Sequence, residues 1–539
     1  MTVTGAGARG VAERPPTVQT DARRELRLRV RADTEPLVAT TRNATRILLG
    51  LLLALQFGSM STLQNGAFQD EALYVYEGRW TLQRLLTGAP LPEPFGLYTS
   101  GSPYLYPVIA SLLDAAGGLE LARAFSMLCA LGVTVGVFRA SRSLYGDRAG
   151  LLAAAVVSTS APLLFVGRLA TYDALAILLL AGAFSAAMHA SRRPALQAFT
   201  VALLLGGAAL TKYAAAIFGA LVLAAFVVRV VVRGGRSFVL RAAAGLAAGG
   251  SIIAAIAYLL TRLDSTLVDG VFATTADRQV HMAGERVPIL MHALSLTAVA
   301  LVLVVIGAVL LLRRGSVWHE RSLALILSSA VLVAPVYHSL KVEPTSLEKH
   351  LAYGLLVAAP IAGFAISRLA PMTRSTRWRS MVAGVALLAL PAAMNVDLAQ
   401  RTYLAWPDPT EELHVLRHVI RPQTSRVLAE EVEVLKYGLT PQPADYWQLT
   451  GADYFEYQSS SGEHLSGLPA YRAAIADGYF DVIAFRNGPG AAVASGVADL
   501  LPGNYTLVAD LPFRTSSGPG SYRVWRHGAG AGDAADGRR

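Results

Sequence analysis

The sequence predicts a polytopic α-helical membrane protein of about eleven spans, with a small α/β domain outside the membrane at its C-terminal end. Three features of the 539 residues carry that expectation. Apolar stretches of 16–24 residues recur between residues 46 and 399, each about long enough to cross a hydrocarbon core of ~30 Å as a helix. Arginine fills alternate loops between them. Beyond residue 400 the composition turns into that of a soluble chain. Only 16% of residues are charged, against roughly 25% in soluble domains, which excludes disorder for most of the chain. The single cysteine, Cys129, sits inside an apolar run and allows no intramolecular disulfide.

The first 44 residues are polar, Pro-containing and Arg-rich, and read as a disordered cytoplasmic tail, not a signal peptide. The apolar runs follow at roughly 46–63, 119–138, 149–167, 174–190, 195–211, 213–228, 239–261, 289–312, 321–339, 351–367 and 380–399. Arg139 and Arg142, Arg192 and Arg193, Arg229 and Arg233, Arg313 and Arg314, and Arg368 and Arg374 fall in every second connection. Setting these loops and the tail in the cytoplasm satisfies the positive-inside rule at each crossing. The formal charge of +10 is therefore mostly an orientation signal, and nucleic acid is not an expected partner. Tyr104–Leu113 is read as a short juxtamembrane helix, because a full crossing there would put Asp70 and Asp173 on opposite sides.

The membrane part is thus expected over residues 45–399 and an extracytoplasmic α/β domain over 400–527. In the latter, short β-like runs (Ser425–Ala429, Phe480–Arg486, Tyr505–Leu511, Tyr522–Trp525) alternate with helical ones (Glu411–Val419, Tyr471–Asp477). The Gly/Ala/Asp stretch 528–539 reads as a disordered tail.

The outward loops hold the unusual residues. At helical spacing Asp70, Tyr74, Glu77, Thr81 and Arg84 share one face, and Leu73, Tyr76 and Trp80 form an apolar stripe, the pattern of an amphipathic helix at the membrane surface. Asp70 and Glu71 could simply cap the start of that helix. Adjacent acids there also suit a transferase, one to take a proton from an acceptor and one to orient it or hold a cation. Asp173 opens the next inward-going run, again as a cap or as a functional carboxylate at the membrane edge. Of 47 basic residues only Lys212, Lys341, Lys349 and Lys436 are lysines, and none falls in a cytoplasmic loop. Lys212, with Arg278 or Arg286, could bind a phosphate at the bilayer boundary; snorkelling is the plainer alternative. His281 and His350 are weaker candidates, and no His/Cys/acid spacing marks a dedicated metal site.

Four segments in order, Phe68-Gln-Asp-Glu-Ala-Leu-Tyr, Arg168-Leu-Ala-Thr-Tyr-Asp, Leu210-Thr-Lys-Tyr and Glu348-Lys-His-Leu, resemble the lipid-carrier-dependent glycosyltransferases of the GT-C fold. The chain is most similar to glycosyltransferase family 39, which includes protein O-mannosyltransferases and the lipid A aminoarabinose transferase. The likeness covers about residues 46–370. It implies a sugar donor carried on a polyprenyl phosphate, with Asp70 at the family's first-loop catalytic position and Glu71 as its companion. It further implies Asp173 at the second acidic position, Lys212 near the donor phosphate and Tyr74 near the substrate. The 278–286 region, and Lys349 and His350, fall where the family places further donor and substrate contacts. Two departures stand out: Leu73 replaces an Arg of the aminoarabinose branch, and Gly101-Ser-Pro103 replaces its Glu-Lys-Pro. Both argue against a lipid A acceptor.

The expected function is transfer of a sugar from a polyprenyl-phosphate donor to an acceptor at the outer face of the plasma membrane, with inversion through an oxocarbenium-like state. Asp70 would be the base, Lys212 and nearby arginines would offset the leaving charge, and Asp173 would position acceptor or sugar. Glu71 would assist or bind a divalent cation. The sugar and the acceptor are not specified. A transporter or lipid flippase is the rival class; it favours inverted repeats and broken half-length helices, which are not apparent.

Overall fold

The computed structural model describes residues 42–275, 285–313, 317–369, 377–421, 424–439, 448–452, 455–487 and 492–528. The expected tails, apart from 42–44 and 528, lie outside the described residues, as do Arg278 and His281.

Seven described helices are long and apolar enough to cross a membrane: Tyr106–Tyr145, Pro194–Thr211, Ala215–Arg233, Arg236–Leu263, Arg286–Arg313, Trp318–Lys341 and Leu347–Leu369. An eighth crossing is available to Asp147–Ser158 and Ala161–Arg168, which meet at a 63° bend. Thr159 closes the first of these, and Pro162 sits in the first turn of the second, where its missing N–H costs nothing.

The other expected runs are helical as well. The run at 46–63 lies in the 20-residue helix Arg42–Ser61, and that at 174–190 becomes Tyr172–Met188, an apolar helix of 17 residues. At ~1.5 Å per residue the latter is about 25 Å long, short of a ~30 Å core. The last run lies in Arg377–Tyr403, a helix that continues through Pro391.

The expected juxtamembrane helix at Tyr104–Leu113 is the first leg of Tyr106–Tyr145, which breaks at Gly117 and Gly118. Gly118 takes φ +71, a left-handed conformation that glycine adopts without steric cost. The expected span 119–138 lies in the second leg.

Leu347–Leu369 is the innermost helix. Between its charged first turn and Arg368 it is apolar all round, buried almost without interruption from Leu347 to Ile366, and packed against Asp147–Ser158, Arg286–Arg313 and Trp318–Lys341. Arg236–Leu263 is largely exposed, as a helix facing lipid would be. One end of the bundle gathers Gln69–Thr87, the 95–105 segment, 169–173, 211–214, 264–275 and 342–350. The arginine-bearing connections lie at the opposite helix ends.

Beyond residue 403 the chain forms a five-stranded sheet of β1 (Val427–Ala429), β2 (Leu449–Thr450), β5 (Val482–Asn487), β6 (Tyr505–Thr515) and β7 (Gly518–His527), ordered β2-β1-β5-β7-β6. The first three strands are parallel, and β7 is antiparallel to β5 and β6. A separate hairpin pairs β3 (Glu456–Gln458) with β4 (His464–Ser466). Helix Val432–Gly438 leaves the sheet and packs directly on Gln69–Thr87, where Val434 joins Ala67 and Ala72 in a small apolar cluster. Gln69 Nε2 donates to Glu433 at 3.0 Å, Lys436 pairs with Glu93 at 2.7 Å, and Tyr437 donates to Asp114 at 2.8 Å. The sheet therefore stands on the same end of the bundle as Asp70.

Candidate active site

Helix Gln69–Thr87 begins where the backbone N–H of Phe68 donates to Glu71 Oε2 at 2.9 Å, and ends at Gly88 in the left-handed region. Its polar face turns into the protein and not toward solvent. Tyr74, Glu77 and Thr81 are buried, and Asp70 is partly so.

Asp70 is ion-paired with Lys349, which projects from the first turn of the innermost helix and also lies 5.1 Å from the centre of the Phe68 ring. Asp173, in the first turn of Tyr172–Met188, is fully buried. Its Oδ1 accepts from the Tyr353 hydroxyl at 3.1 Å and lies 3.8 Å from Lys212 Nζ. Its Oδ2 has no hydrogen-bond partner among the described residues. Lys212 donates to Ser100 Oγ at 3.0 Å and sits 4.6 Å over the Tyr172 ring. Tyr172 shares the Ser100 hydroxyl at 2.8 Å and stacks on Tyr74 at 4.1 Å between centroids. Burial, followed by the charge of Asp70, pushes the Tyr74 hydroxyl well above its ordinary pKa, so it remains a proton donor.

The loop that delivers Ser100 fits only because residue 101 lacks a side chain. A Cβ at Gly101 would stand 2.0 Å from the Thr211 carbonyl oxygen. This close approach lets Ser102 N–H bond Leu210 O at 2.9 Å and Tyr213 N–H bond Ser100 O at 3.0 Å. It also gives a physical reason for the Gly101-Ser-Pro103 departure noted in the sequence.

Glu71 occupies a different environment. It is completely buried and accepts four hydrogen bonds, from Arg123 Nε (2.9 Å) and Nη2 (2.7 Å) and from the backbone N–H of Phe68 (2.9 Å) and Ala170 (2.7 Å). Arg123 also donates to the carbonyl oxygens of Asn65 and Gly66, each at 2.9 Å. With both oxygens saturated by N–H donors, Glu71 has no lone pair directed at a substrate or a cation. It ties the loop before the Asp70 helix to two neighbouring segments.

His350 also points elsewhere. Its Nδ1 is 2.9 Å from Nε2 of His338, whose own Nδ1 is 2.6 Å from the Glu343 carbonyl oxygen. The carbonyl requires the proton on His338 Nδ1, so in a neutral ring Nε2 accepts from His350. Arg286 is exposed at the start of Arg286–Arg313, and no hydrogen bond among the described residues links it to Asp70, Asp173 or Lys212.

The structure thus brings Asp70, Tyr74, Asp173, Lys212 and Lys349 together, with Glu71 and His350 beside them in supporting networks. Sequence reasoning missed Ser100, Arg123, Tyr172 and Tyr353. Arg123 had a signal, a lone arginine inside an apolar run, where a charge needs a partner.

Residues 102–261 match the family model described as dolichyl-phosphate-mannose-protein mannosyltransferase. No curated protein matches the sequence. Among solved structures, the chain is similar to ArnT from Cupriavidus metallidurans bound to undecaprenyl phosphate, at a TM-score of 0.57 and 13% identity, covering 91% of this chain and 99% of that one. The fold is GT-C. Other GT-C neighbours are the apo oligosaccharyltransferase of Archaeoglobus fulgidus (TM-score 0.58, 10% identity, 90% of this chain and 75% of that one) and the mycobacterial arabinofuranosyltransferase AftD. AftD aligns at a TM-score of 0.54 and 16% identity over 91% of this chain and 40% of its own.

Proposed function

We propose that this GT-C protein is a multi-pass membrane glycosyltransferase that moves a sugar from a polyprenyl-phosphate donor to an acceptor at the outer face of the plasma membrane, with inversion. The observation that carries the reading is the alternation of two carboxylates and two lysines, Asp70–Lys349 and Asp173–Lys212, at one end of an apolar bundle. The family match over residues 102–261 and the GT-C neighbours support the chemistry, and the arginine-rich opposite end supports the orientation.

In this mechanism Asp70 takes the proton of the acceptor nucleophile as that atom bonds to the anomeric carbon from the side opposite the phosphate. The carbon–oxygen bond to phosphate breaks, and its electron pair leaves on the polyprenyl phosphate. Lys212, presented by Ser100 and the Tyr172 ring, and Lys349 offset the charge that grows on that oxygen. Asp173, with one oxygen free of hydrogen bonds, orients a hydroxyl of sugar or acceptor. The stacked Tyr74 and Tyr172 wall the site. Glu71 acts as a positioning residue through Arg123. The polyprenyl tail needs only the apolar flank of the bundle, which is why a polar reaction is sited at a bilayer edge.

The test is incubation of membranes carrying wild-type protein or Asp70→Asn with labelled polyprenyl-phosphate sugars. Wild type yields labelled product, and Asp70→Asn lowers the rate by about 10²–10⁴-fold while remaining inserted. Undiminished transfer by Asp70→Asn removes Asp70 as the base.

A further inference from the structure

Two turns beyond Asp70 on the same helix lies a second buried polar cluster that the reaction does not use. Glu77 is fully buried, and neither of its carboxylate oxygens is in hydrogen-bond geometry with any described group. Thr99 adjoins it, but the Thr99 hydroxyl donates to the Phe95 carbonyl oxygen at 2.8 Å. Thr81, one turn along, is also fully buried with an unpartnered hydroxyl, as is the hydroxyl of Tyr104, a residue 8% exposed.

Asp264, 8% exposed, opens the turn after Arg236–Leu263. Its Oδ1 accepts from Thr266 N (3.0 Å) and Oγ1 (2.6 Å), while its Oδ2 has no partner among the described residues. The 95–98 turn approaches this carboxylate so closely that a Cβ at Gly96 would be 2.8 Å from Oδ2.

Burial pushes the Glu77 carboxyl well above the usual carboxylate range; the adjoining Thr99 hydroxyl pulls it partly back, and the charges of Asp264 and Glu93 push it further up. Glu93 is already neutralised by Lys436. Burial and the charge of Asp264 raise the Tyr104 hydroxyl to about 12. Buried polar atoms without partners are expensive, each costing about 1–3 kcal/mol, and one ligand that satisfies several of them at once recovers that cost.

We propose that Glu77, Asp264, Thr81 and Tyr104 bind a divalent metal cation that clamps the Asp70 helix to the turn at 264–266. The donors are all oxygen: two carboxylates and two hydroxyls, the remaining positions going to water. That set suits a hard ion such as Ca²⁺ or Mg²⁺ and not zinc, which favours nitrogen and sulfur. Among the described residues no group of three or more His, Cys, Asp or Glu side chains gathers, so the site rests on two charged ligands and binds with modest affinity. The cluster lies next to open space. A cleft of ≈ 500 Å³ lined by Arg84, Leu85, Gly88, Pro90, Tyr104 and Leu263 opens against Tyr104 and the residue preceding Asp264.

The cation would act by position. Gln69–Thr87 carries Asp70 and Tyr74, and the adjoining 95–102 segment carries Ser100, so a clamp between helix and turn fixes the geometry of the site without touching substrate. The inference does not depend on the glycosyl-transfer reading, because its test reads binding and stability.

Full-length protein purified in detergent is stripped with chelator and titrated with Ca²⁺, Mg²⁺ or Mn²⁺ while thermal unfolding is followed. The wild-type Tm rises by a few degrees at saturation. Tb³⁺ added to the stripped protein shows tyrosine-sensitised emission that Ca²⁺ displaces. Glu77→Gln and Asp264→Asn each abolish both responses, and Asp70→Asn keeps them. If those two variants do not fold, Thr81→Val and Tyr104→Phe weaken cation binding several-fold. A wild-type Tm indifferent to all three cations overturns the proposal and leaves Glu77 as a buried neutral acid. So does a cation response that survives in Glu77→Gln.

Discussion

Lys349, in the first turn of the innermost helix, is ion-paired with Asp70 across 279 residues of sequence. The lysine side chain is 3% exposed and the aspartate 29%, so the pair sits at the floor of the site with only its acidic member open to solvent.

Because each charge is the other's main neutraliser, replacing both should hurt less than the two single losses combined. Asp70→Asn, Lys349→Met and the double variant, compared by thermal unfolding in detergent, are expected to show a coupling of about 0.5–3 kcal/mol. Strict additivity would mean that the contact does not persist in the membrane protein.

Glu71 differs from its neighbour in kind. Glu71→Ala leaves Arg123, 2% exposed, without its carboxylate, and removing one partner of a buried ion pair costs about 3–5 kcal/mol. The expected outcome is a large fall in Tm and in yield of monodisperse protein. An unchanged Tm in Glu71→Ala would contradict the structural role assigned to it.

A pH effect should be readable far from the membrane. Glu412, on helix Thr410–Val419, is 3% exposed, and burial, then the charges of Glu431 and Glu430, lift its carboxyl well above the usual range despite the proximity of Arg486. The folded protein therefore holds a proton that the unfolded chain releases near pH 4–5. Folded-state stability from this group falls as pH rises from there toward the raised folded value. Glu412→Gln removes the dependence. The Tm difference between Glu412→Gln and wild type should shift in favour of the variant from pH 5 to pH 8. A gap that does not change with pH would exclude this titration.

Much of the membrane part was legible because apolar length and arginine placement are local properties of the chain. The count of crossings was less so. Tyr172–Met188 is apolar but about a turn short of a ~20-residue span, and whether such a helix crosses depends on neighbours that a window of sequence does not contain. The bend at Thr159–Ser160 and the break at Gly117–Gly118 had signals, a proline and a glycine pair, inside runs that otherwise read as continuous.

In the site, residue types were readable and partnerships were not. Asp70, Asp173, Lys212 and Lys349 stand out as charges at the ends of apolar runs. Nothing local says that Asp70 meets Lys349 or that Glu71 meets Arg123, since those pairings come from the way the helices pack. The amphipathic reading of Gln69–Thr87 identified the right face and assigned it the wrong surroundings. Periodicity separates faces, and only tertiary packing decides which one is covered.

The seam between Val432–Gly438 and the Asp70 helix joins parts of the chain that are made at very different times. Gln69 and Glu433 are 364 residues apart. At translation rates of ~5–20 residues per second, roughly 20–70 s pass between the two. Through that interval the inserted helix carries its aspartate with the outer clasp still missing. A chain that ends before the sheet is made leaves Ala67 and Ala72 without the Val434 side chain that covers them.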